Sequence, residues 1–178
     1  MAAEQIAASM ERVASVLRRK PGAGLSEDSP ATARWDGGLR VVTRSALGTE
    51  VVTDMPVELG GGHSAPSAGW LLRAAVASCA VTRIAMAAAA EGIELRTLEA
   101  RATSHSDARG VLGVADPAGG AVPAGPLDMA LHVRIGAPGV SADRLRALVV
   151  ATRSTSPVTC AVEQPLPIAL HIDVDGDA

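Results

Sequence analysis

The stretch from Ser64 to Gly92 constrains this chain more than any other, because it holds an apolar helix too long to be left in water. The seventeen residues from Ala74 to Ala90 are almost all small or apolar, and Cys79 lies among them. Ser67 stands where a hydroxyl would accept from the free amides of a first helical turn, and Gly92 where a helix would close on a left-handed residue. The spacing predicts a helix of about six turns. Leu72, Val76, Cys79, Arg83 and Met86 recur at steps of three and four, so they are expected to share one face. The opposite side is mostly alanine, and a helix apolar nearly all round belongs inside a protein. A membrane span is the rival reading. Arg73 and Arg83 would each cost about 3 kcal/mol at bilayer depth, and alanine offsets little of that, so a core helix and no membrane partner are expected.

Composition narrows the function classes. The 178 residues suit one domain with a real core. Aromatic content is 1%, Trp35 and Trp70 alone, so Val, Leu, Ile and Ala have to fill that core. Without aromatic stacking platforms, with a net charge of −3 and with no long run of Lys or Arg, the chain has no footprint for nucleic acid. Two distant cysteines with no CxxC pair do not make a zinc site or a disulfide framework, and no metal or cofactor is expected. The N-terminus shows no basic stretch followed by an apolar core, so a cytoplasmic address is expected.

Along the chain, residues 1–30 read as an amphipathic helix and linker. Ile6, Met10, Val13 and Leu17 form its stripe, Arg18, Arg19 and Lys20 end it, and Pro21 to Pro30 is the linker. Residues 31–178 read as the folded domain. Thr32 to Trp35, Leu39 to Arg44 and Glu50 to Thr53 are strand candidates, joined by Asp36-Gly37-Gly38 and Leu47-Gly48-Thr49 as hairpin turns. Gly60-Gly61-Gly62-His63 leads into the central helix. It lacks the Lys-Ser/Thr and the spacing of a nucleotide loop, and His63 reads as a solvated loop residue. Ile93 to Thr103 alternates as a strand, Asp107 to Pro126 is a surface excursion, and Met129, Leu131, Val133 and Ile135 mark a half-buried strand. Ser141 caps a helix with Leu145, Leu148 and Val149 inward. Ser156-Pro157 starts a short helix that carries Cys160, and Ile168, Leu170, Ile172 and Val174 alternate as a final strand. The class is α+β with largely antiparallel sheet.

Taken together, these motifs resemble the OsmC/Ohr family of thiol peroxidases. The matching residues are the Gly-Gly and Ala65-Pro66-Ser67 approach, the helix Leu71-Leu72-Arg73-Ala74-Ala75-Val76-Ala77-Ser78-Cys79, the Glu91-Gly92-Ile93 break, and Ser156-Pro157-Val158 ahead of Leu166-Pro167-Ile168. The resemblance covers residues 31 to 174, in a chain with a long N-terminal helix. It implies an intertwined homodimer with sheets wrapped around two central helices and active sites at the subunit interface. It also implies reduction of organic hydroperoxides, with an external thiol closing the cycle.

On that resemblance Cys79 is the peroxidatic thiol, Cys160 the candidate resolving thiol, and Arg40 the cation, with Arg34 next in line. Two positions depart from the family pattern. Gly69-Trp70 stands where the family has a glutamate, and Ser156 stands where it has its second cysteine, Cys160 following four residues later. Trp70 is expected as a lid over the pocket. Arg83, one turn beyond Cys79 on a buried face, needs a partner or an exit to solvent, and a pair across the dimer is expected rather than a catalytic role. The alternative function is a family member that has lost the peroxidase apparatus and binds a small hydrophobic ligand at the dimer interface.

Overall fold

The computed structural model describes residues 2–164 and 166–176. Helix α1 (Ala2–Arg19) is followed by a single 3-10 turn, Pro21–Gly24, and an extended linker. Strands β1 (Ala31–Trp35), β2 (Val41–Ser45) and β3 (Glu50–Thr53) form an antiparallel meander in the order β1-β2-β3. Gly37 and Gly38 take positive φ in the first turn, where side chains are disfavoured, and Gly48 does so in the second.

Helix α2 (Ala68–Ala90) begins and ends where the sequence indicates. The Ser67 hydroxyl accepts from the Trp70 amide at 3.3 Å. At the far end Gly92 takes φ 68°, its amide donates to the Ala89 carbonyl, and the Ile93 amide donates to the Ala88 carbonyl. This is a Schellman closure, and Ile93 completes it by packing into the core. The closure uses Ile93 to Arg96 as turn, so β4 starts at Thr97 and not at Ile93.

Strands β4 (Thr97–His105) and β5 (Asp128–Gly136) form a second antiparallel sheet with Ala100 opposite Val133. Between them the surface excursion contains a short helix, α3 (Ala108–Leu112), capped by Asp107. Helix α4 (Ala142–Thr152) is capped by Ser141, whose hydroxyl accepts from the Arg144 amide at 3.2 Å, and α5 (Pro157–Glu163) follows one 3-10 turn later. Ile84, Ala88, Ile93, Leu145 and Leu148 make the centre of the core, and Leu98, Val133 and Ile135 of the sheet pack onto it.

The buried ridge of α2 is Val76, Ala80, Ile84 and Ala88, a strict four-residue step. The face expected from the sequence combined three- and four-residue steps and is therefore rotated from it. Four-residue rows incline across the helix axis, and it is such a row that meets neighbouring elements in helix packing. Cys79 and Arg83 flank the ridge in half-buried positions. By length and composition α2 would cross a membrane; here α1, β4, α4 and α5 pack around it.

One expectation is met in part and one needs correction. Helix α1 packs on α2 with Ala3, Ala7, Met10 and Ala14 half-buried, while Ile6, Val13 and Leu17 of the expected stripe are exposed, Val13 by 60%. Residues 166–176 form no strand, and Ile168, Leu170, Ile172 and Val174 are all exposed, Ile168 by 91%. Alternation alone does not make a strand; it needs a sheet edge to pair with, and this segment pairs with neither sheet of its own chain.

Replacing Ile84, 1% exposed at the centre of the core, with alanine is expected to lower unfolding free energy by about 2–4 kcal/mol. Val111→Ala on α3, 58% exposed, is expected to change it by no more than about 0.5 kcal/mol. Urea denaturation of both variants at one protein concentration checks this.

Candidate active site

Cys79 sits midway along α2, where the turn between α4 and α5 crosses it. Ser156 occupies the N-cap position of α5 with Pro157 at the first helical position, as the sequence indicates, but its hydroxyl makes no capping bond. It donates instead to the Cys79 sulfur at 3.2 Å and lies 3.0 Å from the Thr159 hydroxyl. Each hydroxyl has one proton to give. With the Ser156 proton on sulfur, Thr159 donates to Ser156, and a relay runs Thr159 to Ser156 to Cys79. Ser156 is 3% exposed, so this contact is sheltered from water.

One turn along α2, the Arg83 guanidinium reaches the same loop. Its NH2 group donates to the Thr155 hydroxyl at 3.0 Å, and its NH1 group approaches the Met86 sulfur at 3.4 Å. Its Nε–H is buried and has no acceptor. A buried donor left unsatisfied costs about 1–3 kcal/mol, so such a group is rare in a native structure. The α4–α5 turn is thus held to α2 at two consecutive residues.

Ser156 and Thr159 also line a groove of about 660 Å³. Leu72, Val76, Ala80 and Ile84 of α2 form one wall, with Leu131 and Val133 of β5 and Val149 of α4 opposite. Its rim carries Asp128 and the ion pair of Arg153 with Glu163 at 2.5 Å. The groove is largely apolar, and Cys79 does not line it but meets it through Ser156, which touches both.

The other expected site residues lie elsewhere. Cys160 is one turn beyond Ser156, and its thiol points back toward the Ser154 carbonyl, 3.5 Å away. Both cysteines are free. Arg40 is in the β1–β2 turn, where its guanidinium pairs with Asp36. Trp70 is exposed and does not line the groove. Arg83 pairs with no carboxylate among the described residues.

The glycine loop ahead of α2 is organised by a residue the sequence reading passed over. Asp54, directly after β3 and 4% exposed, accepts from the Ser64 amide at 3.0 Å, the Ser64 hydroxyl at 2.8 Å, the Met55 amide at 2.8 Å and the Gly62 amide at 3.2 Å. Those amides are committed to a carboxylate of this chain, which removes the loop as a phosphate cradle. A Cβ at Gly61 would overlap the Met55 carbonyl, so the middle glycine is a steric necessity. The signal for Asp54 was an acid placed just before a run of glycines whose amides had no other partner in sight. Ser156 and Thr159 gave no such signal, because hydroxyls beside proline read first as caps.

Donation from the Ser64 amide and hydroxyl, then from Met55 and Gly62, lowers the Asp54 carboxyl to about 2. Its ordinary value is about 3.9, so its contribution to stability is fully present above about pH 4 and is lost as the pH falls through 2. Acid titration of unfolding is expected to show the wild type losing its margin over Asp54→Asn within that window, and the two profiles running parallel above it.

Residues 60–171 match the model of the family described as OsmC, OsmC-like protein. Among solved structures, the chain superposes on an OsmC-like protein from Mycoplasma pneumoniae with TM-score 0.64 at 15% identity, covering 78% of this chain and 89% of that one. An organic hydroperoxide resistance protein from Legionella pneumophila gives TM-score 0.57 at 20% identity, covering 78% and 90%. The organic hydroperoxide resistance protein of Bacillus subtilis gives 0.51 at 18%, covering 76% and 90%. No curated protein matches the chain. At these identities the superpositions establish the fold.

Proposed function

The chain belongs to the OsmC-like protein family, and on that footing we propose that it reduces organic hydroperoxides with Cys79 as the attacking thiol. The observation that carries this reading is the Ser156 hydroxyl aimed at the Cys79 sulfur beside an apolar groove. The groove suits the organic part of a hydroperoxide, and a hydroxyl aimed at sulfur stabilises negative charge on it.

The Cys79 thiolate attacks the distal peroxide oxygen, the O–O bond breaks, and the alcohol leaves with a proton. Cys79 is oxidised by two electrons to a sulfenic acid. An external thiol then attacks that sulfur, water leaves, and a mixed disulfide forms. A second thiol equivalent releases Cys79 and carries away the disulfide. Ser156 cannot form a disulfide, and the Cys160 thiol is turned away, which favours an external resolving thiol over an internal one.

The protein acts as a homodimer. The chain exposes 13174 Å², while a compact 17.9 kDa monomer exposes about 8,000 Å². Part of the excess of roughly 5,000 Å² per chain is the extended linker and the segment 166–176, and the rest is surface available to a second copy. Alternating apolar residues from Ile168 to Val174, without a sheet edge of their own, supply a strand for a second copy. Dimer formation would also bury the open faces of β1 and α1. Sedimentation velocity is expected to show a dimer at micromolar concentration, and Leu170→Asp combined with Ile172→Asp to shift it toward monomer.

The second reading, a binding protein for a small hydrophobic ligand, draws on the same groove and on the absence of the family glutamate at Gly69-Trp70. Reduced protein treated with stoichiometric cumene hydroperoxide and analysed by peptide mass spectrometry separates the two. A sulfenic or sulfinic adduct on Cys79, retained in Cys160→Ser and absent in Cys79→Ser, is the expected result. Ser156→Cys is expected to trap a disulfide between positions 79 and 156. Unmodified wild-type protein would leave the binding reading as the better account.

A further inference from the structure

We infer that Arg83, and not Arg40, is the positioning residue that brings positive charge to the chemistry at Cys79. This rests on reading Cys79 as the reactive thiol. Arg83 follows Cys79 by one helical turn, so their Cβ atoms are about 5–6 Å apart. Helical side chains lean toward the N-terminus, which carries the Arg83 stem toward the turn that holds Cys79. The guanidinium is then held at Thr155, the residue adjoining Ser156, and Ser156 touches the Cys79 sulfur. Cation and thiol are therefore fixed to consecutive residues of one loop.

Among the described residues of its own chain no carboxylate pairs with Arg83, as is also true of Arg73, which meets the Ser104 hydroxyl far from Thr155 and Ser156. Arg40, Arg44, Arg109, Arg144, Arg146 and Arg153 each pair with a carboxylate. Arg83 has a hydroxyl and a thioether, which orient it without neutralising it, and its buried Nε–H still has a bond to give. No acid lies between Glu58 and Glu91 in the sequence to tie the cation down. During attack on a hydroperoxide, negative charge passes from sulfur to the departing alkoxide oxygen. A fixed cation beside that path stabilises both ends of it, and in a sheltered site it does so more strongly than in water.

The test measures the rates at which Cys79 in the reduced full-length protein is alkylated by iodoacetamide and oxidised by cumene hydroperoxide at pH 7, with peptide mass spectrometry as the readout. Arg83→Met is expected to slow both reactions about tenfold, and Arg83→Lys to restore both to within about threefold of wild type. The exposed Arg146→Met serves as a control at wild-type rate. Wild-type rates in Arg83→Met, or slowing by Arg40→Met in its place, would overturn the inference. Should Arg83→Met fail to fold, Thr155→Val carries the test. It keeps the charge but releases the anchor, and slowing by about threefold is expected, wild-type rates again overturning the inference. Alkylation that depends on Arg83 in a protein whose Cys79 resists hydroperoxide would sink the peroxidase reading and leave the assignment of Arg83 standing.

Discussion

The ridge of Val76, Ala80, Ile84 and Ala88 is taken out of water by β4, β5 and α4, and those elements take their places from that packing. A 23-residue apolar helix has to be covered on most of its surface. One chain of this size with almost no aromatic residues covers only part of it. The small side chains of α1 take one flank and the α4–α5 turn takes another. That turn crosses α2 at the level of Cys79 because Leu145 and Leu148 have already fixed α4 against Ile84. The site is thus a by-product of how the core closes.

At the site, a local rule yields to a tertiary contact. Ser156 has the sequence context of an N-cap, and the backbone there behaves as one, with proline at the first helical position where its missing amide is no loss. The hydroxyl nevertheless turns to the Cys79 sulfur. In a position almost without water, a hydroxyl must find a partner in the protein, and sulfur and Thr159 are what the crossing of α5 over α2 provides. The neighbouring Arg83 is half-buried, with its Nε–H out of reach of water and its Thr155 contact at the surface.

Asp54 does similar work at the mouth of α2. A carboxylate with four donors turned onto it holds the glycine loop in one shape, and that shape sets where Ser67 begins the helix and hence where Cys79 falls. Polar order at one end of α2 and apolar packing at the other fix the register between them.

Much of this was legible from residues alone. The limits of α2 follow from Ser67 and Gly92, the meander from its glycine turns, and α4 from Ser141 and its leucines, because caps and turns are local and the periodicity of burial is written in the side chains. Membership of the family was legible through the motif around Cys79. Other features required the tertiary structure. The face of α2 that is buried depends on the angle at which neighbours cross it, and periodicity within one helix does not contain that angle. Most of the apolar stripe of α1 stays open on the single chain while its alanines are half-buried, a division its own periodicity does not contain. The segment Ile168 to Val174 alternates like a strand but joins no sheet edge of its own chain. The partnership of Cys79 with Ser156, and of Arg83 with Thr155, joins residues more than seventy positions apart, and only packing of the intervening sheet and helix brings them together.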